Sequence, residues 1–103
     1  MKFAIVDIET TGGSQKSRGI TEIAVVLSDG KNVLDTWSSL VQPFEHVPPR
    51  IEALTGINDG MLEDAPSFSD LADELEALLA DAVFVAHNVG FDYAFIRGHF
   101  EAM

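Results

Sequence analysis

Two carboxylates at the end of an apolar stretch are the residues best placed to do chemistry. Residues 3–12 read Phe-Ala-Ile-Val-Asp-Ile-Glu-Thr-Thr-Gly, and an apolar run bounded by a turn predicts a strand buried on both faces. Side chains alternate along a strand, so Asp7 and Glu9 point to the same side, with Cα atoms roughly 6.5 Å apart. Converging carboxylate oxygens suit Mg²⁺ or Mn²⁺. The alternative is that both residues are the solvated exit of the strand.

The composition indicates one small globular domain with a strong acidic excess. The 103 residues are 47% hydrophobic and include no cysteine, which excludes a disulfide framework and a thiolate metal site. No secretory or membrane-spanning run occurs, so we expect no membrane association and a cytoplasmic location. The net charge of −11 argues against a phosphate-binding surface. However, seven of the seventeen acids lie within residues 63–81, so part of the acidity is local.

Apolar runs in the first half of the chain predict an antiparallel meander. After the first strand, Ile20–Leu27 and Val33–Val41 are predicted strands, and the Asp29-Gly30 pair between them is typical of a hairpin turn. The polar connection before them carries Lys16 and Arg18. It is either an ordinary hairpin connection or a segment that steers phosphate toward the acidic strand end.

Helix signals dominate the middle of the chain. Pro49 is well placed to open a short helix that Gly56 would close, and Asn58 can cap a further turn. Ser67 is a predicted N-cap, and the leucine spacing that follows it is typical of an amphipathic helix. We expect this helix to pack on the sheet through its apolar stripe.

The last apolar run brings a third carboxylate toward the first two. A right-handed crossover would place Ala82–Ala86, also predicted to be buried, parallel beside Phe3–Ile8. The apolar spacing beyond it predicts a final helix with Asp92 in its first turn, where an acid interacts favourably with the helix dipole. Ligands tend to bind at the carboxyl ends of neighbouring parallel strands, so Asp92 can face Asp7 and Glu9 there.

Three short motifs, in order, resemble those of the DEDD-type (DnaQ-like, RNase T superfamily) 3′→5′ exonucleases. Residues 7–12 (Asp-Ile-Glu-Thr-Thr-Gly) resemble the first motif, residues 54–57 (Leu-Thr-Gly-Ile) the mid-domain segment, and residues 86–92 (Ala-His-Asn-Val-Gly-Phe-Asp) the second. The resemblance covers nearly the whole chain. It implies an α/β, RNase H-like fold, in which a mixed sheet combines the antiparallel three-strand meander with one parallel strand, flanked by helices.

The resemblance also implies a role for each matched residue. Asp7, Glu9 and Asp92 fall on three of the four family carboxylates, which hold two divalent metal ions, Mg²⁺ or Mn²⁺, at the 3′-terminal phosphodiester. The implied substrate-binding positions are Thr10 and Thr11 beside the terminal nucleotide, Leu54 and Thr55 in the nucleoside pocket, and Phe91 near the bases. A place in the core explains Phe91 equally well.

One part of the family pattern has no match here. The third motif, a His followed by the fourth Asp, should lie downstream of Asp92; His46 and His99 do not fit it, and His87 belongs to the second motif, with Asn88 as a helix cap. We therefore expect a single domain that is C-terminally incomplete, truncated before the third motif. Its function is either 3′→5′ exonuclease action on DNA or RNA, inactive in this chain alone, or that of a non-catalytic, nuclease-derived interaction module.

Partners follow from the same resemblance. It implies binding to a single-stranded or frayed nucleic acid 3′ end, and association with a DNA polymerase subunit or a fused downstream domain. An incomplete sheet would leave an edge strand and helix faces poorly covered. Such surfaces favour association, so we also expect a dimer or a swapped oligomer.

Overall fold

The computed structural model describes residues 1–12, 19–87 and 89–103. The predictions for Lys16, Arg18, Asn88 and the side chain of Phe91 lie outside the described part. The elements run in the order β1 (Lys2–Thr10), β2 (Ile20–Ser28), β3 (Val33–Leu40), α1 (Pro49–Thr55), α2 (Asp59–Leu62), α3 (Phe68–Leu79), β4 (Ala82–Val85) and α4 (Val89–Glu101). None of the described helices is long and apolar enough to cross a membrane.

The strands form one mixed sheet in the order β3-β2-β1-β4, as predicted. β1 pairs antiparallel with β2, which places Asp7 opposite Ala24, and β2 pairs antiparallel with β3. On its other side β1 pairs parallel with β4, which places Ile5 beside Val85. β1 is therefore the strand that has the meander on one side and the crossover strand on the other.

The turn between β2 and β3 is longer than a two-residue hairpin. It spans residues 29–32, and the side-chain Oδ1 of Asp29 accepts hydrogen bonds from the backbone N–H groups of Lys31 and Asn32 at 2.8 and 2.7 Å. Gly30 adopts a positive φ of 96°, which glycine tolerates without strain. The Asp29-Gly30 pair thus forms the predicted hairpin through an aspartate-capped four-residue turn.

The core lies on one face of the sheet. Ala4, Val6 and Ile8 on β1 pack with Leu75 of α3 and Phe95 of α4. Alternation places Ile5, Asp7 and Glu9 on the opposite face, which we call the open face. Both longer helices contribute their apolar side chains to the same core, so the open face is less well covered.

Burial of β1 and β4 on both faces was wrongly predicted. Ile5 is 44% exposed on the open face, and Val83 and Val85 of β4 are 44% and 38% exposed. A continuous apolar run is typical of a strand covered on both sides. Here α3 and α4 lie on one side, and the part of the chain that the structure describes leaves the other side partly open.

The helix ends follow the local sequence signals. Pro49 is the first residue of α1, and Gly56, at φ 79°, ends it with its N–H on the carbonyl of Glu52 at 2.8 Å. Ser67 and Asp70 form a reciprocal capping box at the start of α3, with bonds of 3.1 and 3.0 Å. These caps fix where α1 and α3 begin and end, and therefore which side chains they present.

Candidate functional site

β1 and α4 bring the three predicted carboxylates to one end of the sheet. Asp7 and Glu9 lie on the open face near the carboxyl end of β1, with Asp7 exposed and Glu9 half-buried. Asp92 lies in the first turn of α4 and is only 7% exposed. The parallel pairing of β1 with β4, which precedes α4, is what directs the start of that helix toward the end of β1.

The carboxyl groups interact electrostatically with one another. Burial raises the pKa of Glu9, and the negative charges of Asp7, Glu22 and Asp92 raise it further. Burial and the charge of Asp7 likewise raise the pKa of Asp92, while the backbone amides of Asp92 and Ile8 and the nearby His87 act in the opposite direction. Asp7, Glu9 and Asp92 therefore share one electrostatic neighbourhood, in which the charge of Asp7 raises the pKa of the other two carboxyl groups.

Glu22 is a fourth carboxylate of this neighbourhood that the sequence reasoning missed. It lies on β2 directly opposite Glu9, and its negative charge contributes to the raised pKa of Glu9. The available signal was a lone acid between Thr21 and Ile23 in an otherwise apolar strand. Linking that acid to Glu9 requires the register of the β1–β2 pair, which the sequence does not specify.

The donor chemistry of this cluster fits a divalent cation, although the described side chains are not gathered into a ligand set. Among the described residues, no three His, Asp or Glu side chains stand in an arrangement that could already hold a metal. Carboxylate oxygens that repel one another separate unless a cation lies between them, and hard oxygens are the preferred ligands of Mg²⁺ and Mn²⁺. Asp7, Glu9 and Asp92 are the residues that would hold such an ion.

A cleft of about 300 Å³ opens beside this cluster, between the end of β1 and helix α1. Leu54 of α1 is 80% exposed and lines this cleft. The cleft thus combines an apolar wall on α1 with a carboxylate on β1. Its lining residues are Ile8, Glu9, Thr10, Gly12, Arg50, Ile51, Leu54 and Thr55.

The predicted threonines shape the cleft or support it from inside. Thr10 lines the cleft and donates its hydroxyl to the carbonyl of Gly12 at 2.5 Å. Thr55 donates to the carbonyl of Ile51 at 2.9 Å, so its hydroxyl serves the end of α1. Both hydroxyls donate to backbone carbonyls, which fixes their orientation within the chain.

Thr11, also predicted to bind substrate, belongs to the interior. Its side chain is 2% exposed, and its hydroxyl accepts the N–H of Gly19 at 2.9 Å. The Thr11 N–H in turn donates to the Gly19 carbonyl at 2.9 Å. Gly19 lies so close to Pro43 that an added Cβ would come within 2.3 Å of the Pro43 Cβ. Thr11 therefore ties the end of β1 to the start of β2, and its side chain does not line the cleft.

A wider cavity of about 520 Å³ contains none of the predicted residues. It lies where His46 and Asp59 meet, with 3.1 Å between Nδ1 and Oδ2. Asp59 also accepts the Val47 N–H at 2.8 Å, and this bond, followed by His46, lowers the pKa of Asp59. His46 and Asp59 already pair with each other, and none of the predicted site residues lines this cavity. The smaller cleft, which Glu9 lines, is therefore the better candidate.

Comparison with known proteins gives consistent matches. The RNase T family model, described as "Exonuclease", matches residues 4–103. The 3′-5′ exonuclease DinG of Staphylococcus epidermidis is 42% identical over 99 residues, and that of Staphylococcus aureus strain MRSA252 is 38% identical over 99 residues. Each alignment covers 96% of this chain, but the chain spans only 11% of the length of these relatives.

Solved structures match over most of the chain. Exonuclease X in complex with 5′ overhanging duplex DNA is 30% identical, with a TM-score of 0.79 over 91% of this chain and 53% of that one. Product-bound exonuclease I, at 20% identity, has a TM-score of 0.85 over 97% of this chain and 25% of its own, and supports the RNase H-like fold. With the family match extending over residues 4–103, these comparisons show that the chain belongs to the RNase T exonuclease family.

Proposed function

We propose that this domain is the metal-binding and 3′-end-binding part of a 3′→5′ exonuclease. It takes the single-stranded or frayed 3′ end of a nucleic acid and hydrolyses the terminal phosphodiester. The observation that carries the proposal is the placement of Asp7, Glu9 and Asp92 at one end of the sheet, where Glu9 also lines a cleft with an exposed leucine wall. The exonuclease names of the relatives support the same reaction.

Each part of the site has a task in this reaction. Bound divalent ions supply the charge that activates water and stabilises the leaving oxygen in phosphodiester hydrolysis. Asp7, Glu9 and Asp92 would hold those ions through their carboxylate oxygens, which are the hard ligands that Mg²⁺ and Mn²⁺ prefer. Leu54 offers an apolar surface to the terminal nucleoside, and Thr10 lines the same cleft.

DNA is the first substrate to test. The exonuclease X structure contains 5′ overhanging duplex DNA, and that protein is 30% identical to this chain over the matched part. The chain spans only 11% of the length of the DinG relatives, which supports a fused further domain, rather than a separate polymerase subunit, as the partner of this domain.

Little catalysis is expected from this chain by itself. The family's third motif supplies a histidine and a fourth aspartate, and the residues that follow Asp92 here do not match it. General-base catalysis contributes about 10²–10⁴-fold, and a loosely placed second ion costs further activity because in-line attack depends on geometry. Binding of the 3′ end should survive these losses.

The test follows a 5′-labelled DNA oligonucleotide in Mn²⁺, with cleavage read from the shortening ladder and binding read by anisotropy. We expect metal-dependent binding and slow shortening from the 3′ end, both reduced in Asp7→Asn. Asp73→Asn, on an exposed position of α3, is the matched control because it removes the same charge away from the site. Rapid trimming that depends on Asp7 would show that the missing histidine and aspartate are dispensable.

A second candidate is a nuclease-derived module that binds partners without catalysis. The net charge of −11 and the unmatched third motif favour it. It predicts a chain that neither shortens the oligonucleotide nor binds it more tightly in Mn²⁺ than Asp7→Asn does. That result would contradict the exonuclease proposal.

A further inference from the structure

Arg50 is a positively charged residue of the cleft whose guanidinium makes no stabilising polar contact among the described residues. It lines the cleft together with Glu9, Thr10 and Leu54, and it is the one cation among the described lining residues. Its side chain is exposed. Among the described residues, no hydrogen bond or ion pair involves its guanidinium, although the chain carries 17 acids and only 6 basic residues.

The position of Arg50 in α1 works against helix stability. α1 begins at Pro49, so Arg50 lies in the first turn. The partial positive charge of a helix N-terminus favours acids there and disfavours a guanidinium. Helix formation therefore does not account for this residue, and neither does packing, because its side chain is exposed.

Arg50 and Leu54 lie next to each other on the face of α1 that lines the cleft. Residues four apart lie on the same side of a helix, and both of these side chains line the cleft. An exposed apolar group next to an unpaired guanidinium matches a nucleotide strand, whose sugar and base are partly apolar and whose phosphates suit the planar donors of arginine. A chain with a net charge of −11 also needs a local cation to hold a polyanion.

We infer that Arg50 binds a backbone phosphate of the substrate strand, next to the scissile one, and so positions the terminal nucleotide. This inference rests on the proposed function. Of the three carboxylates only Glu9 lines the cleft that Arg50 lines, and Asp7 and Asp92 lie outside it. We therefore assign to Arg50 a phosphate next to the scissile one rather than the scissile phosphate itself. Arg50 is a positioning residue: it holds the strand and leaves the chemistry to the carboxylate cluster.

The experiment is a double-mutant cycle in which the charge of Arg50 and the charge of single phosphates in the oligonucleotide are removed separately and together, and binding affinity is measured. The Kd of this chain for a 5′-fluorescent oligothymidylate is measured in Mg²⁺ over a range of salt concentrations, with a phosphorothioate terminal linkage that keeps its charge and slows hydrolysis. Arg50→Gln removes the guanidinium charge, and Arg50→Lys keeps a charge without the planar fork. A second set of oligonucleotides carries one neutral methylphosphonate at the second, third or fourth linkage from the 3′ end.

The matched control is Lys31→Gln. Lys31 lies in the turn between β2 and β3, where the neighbouring Gly30 approaches Phe3 at the amino end of β1, away from the cleft. It removes the same charge from the whole molecule. Thermal melts of all variants check folding, and we expect Arg50→Gln to melt no lower than the wild type because its guanidinium has no described partner.

We expect Arg50→Gln to bind about tenfold more weakly at low salt, and its slope of log K against log salt to fall by about 0.7, the value for one phosphate contact on a single strand. Arg50→Lys should recover part of the affinity. One methylphosphonate position should abolish the difference between wild type and Arg50→Gln, whereas Lys31→Gln should match the wild type throughout.

Two results would overturn the inference while leaving the exonuclease proposal intact. One is an unchanged Kd and salt slope in Arg50→Gln, while wild-type binding still depends on Mg²⁺ and on Asp7. The other is an affinity loss in Arg50→Gln that is the same with every methylphosphonate oligonucleotide. That result would mean that Arg50 acts through long-range electrostatic attraction and not through contact with one phosphate. A third result is that one methylphosphonate position abolishes the difference between wild type and Arg50→Gln, while binding does not depend on Asp7. The phosphate contact of Arg50 would then be supported and the exonuclease proposal contradicted. A wild type that does not bind the oligonucleotide contradicts both.

Discussion

The carboxylates at the end of β1 destabilise one another in the absence of a cation. The pKa of Glu9 and that of Asp92 are both raised, each first by burial and then by the charge of Asp7. A raised carboxyl pKa means that the folded state binds the proton more tightly than the unfolded chain does. The same arrangement that costs stability without a metal is the one that rewards a bound dication.

The first prediction concerns the pH dependence of stability. Because the folded-state pKa of Glu9 lies above its usual value of 4.5, unfolding free energy should fall as pH rises from about that value through the raised pKa. Glu9→Gln removes this penalty, so its melting temperature at pH 7 in metal-free buffer should exceed that of the wild type. The difference should shrink below pH 4.5, where Glu9 is protonated in both states. A lower melting temperature for Glu9→Gln at pH 7 would contradict this account.

The second prediction concerns metal binding. Mn²⁺ bound to the native state alone stabilises it by about 2.7 kcal/mol at one hundred times its dissociation constant. We expect millimolar Mn²⁺ to raise the melting temperature of the wild type, and to do so much less in Asp7→Asn. Calorimetry with each variant measures the shift. An equal shift in both variants would place the ion elsewhere.

Sequence could identify some of these residues and not others. Asp7 and Glu9 were predictable because a period of two fixes their common side, and Asp92 because a crossover brings its helix to the same edge. Glu22 and Arg50 were missed because their relation to Glu9 arises from strand register and from the docking of α1. The local spacing of residues in the sequence predicts neither the position of Glu22 nor that of Arg50 relative to Glu9.

At the scale of elements, local signals were reliable because they act over a few bonds. The capping box at Ser67 and Asp70, the opening proline of α1 and its closing Gly56 each satisfy backbone groups of their own helix. Tertiary packing did not alter them. The positions of these helix ends were therefore predictable from the sequence.

The third prediction tests the cap of α3. Ser67→Ala removes the hydroxyl that accepts the Asp70 N–H, and loss of such a cap costs about 1 kcal/mol of unfolding free energy. Ser67→Asn is the control, since its side-chain oxygen can still accept the Asp70 N–H and asparagine is a favoured N-cap residue. Ser69 does not serve as a control because its hydroxyl lies 3.1 Å from that of Ser67. Urea unfolding measures both variants, and an equal cost in Ser67→Asn and Ser67→Ala would mean that the capping hydrogen bond contributes nothing.

The local sequence pattern did not predict correctly which faces of the strands are buried. The run Phe3–Val6 is apolar on both sides of the strand, yet only alternate side chains reach the core. Which face is covered depends on where α3 and α4 dock, and both dock on the same face. The sequence predicted a poorly covered edge strand and poorly covered helix faces. The exposed apolar side chains on the open face are those of Val83 and Val85 on the edge strand β4 and of Ile5 on its neighbour β1.

At the scale of the whole molecule, the open face combines two opposite tendencies. Its apolar part includes Ile5, Val83 and Val85, each more than a third exposed. Contiguous exposed apolar side chains favour association. Its other end carries Asp7, Glu9 and Glu22, whose charges oppose the approach of a second acidic surface. The balance between these ends should decide whether the chain associates.

The last prediction is that this chain self-associates through the open face, and more readily as salt screens the carboxylates. Light scattering at increasing protein concentration should show a rising mass, and the rise should be steeper at 0.5 M than at 0.05 M salt because the Debye length shortens from about 14 to about 4 Å. Val83→Lys adds a charge to the apolar part of that face and should keep the chain monomeric, whereas Met61→Lys, an exposed change on α2 away from the sheet, should not. A monomer at every concentration would show that the exposed valines and Ile5 are too small a patch to outweigh the net charge of −11.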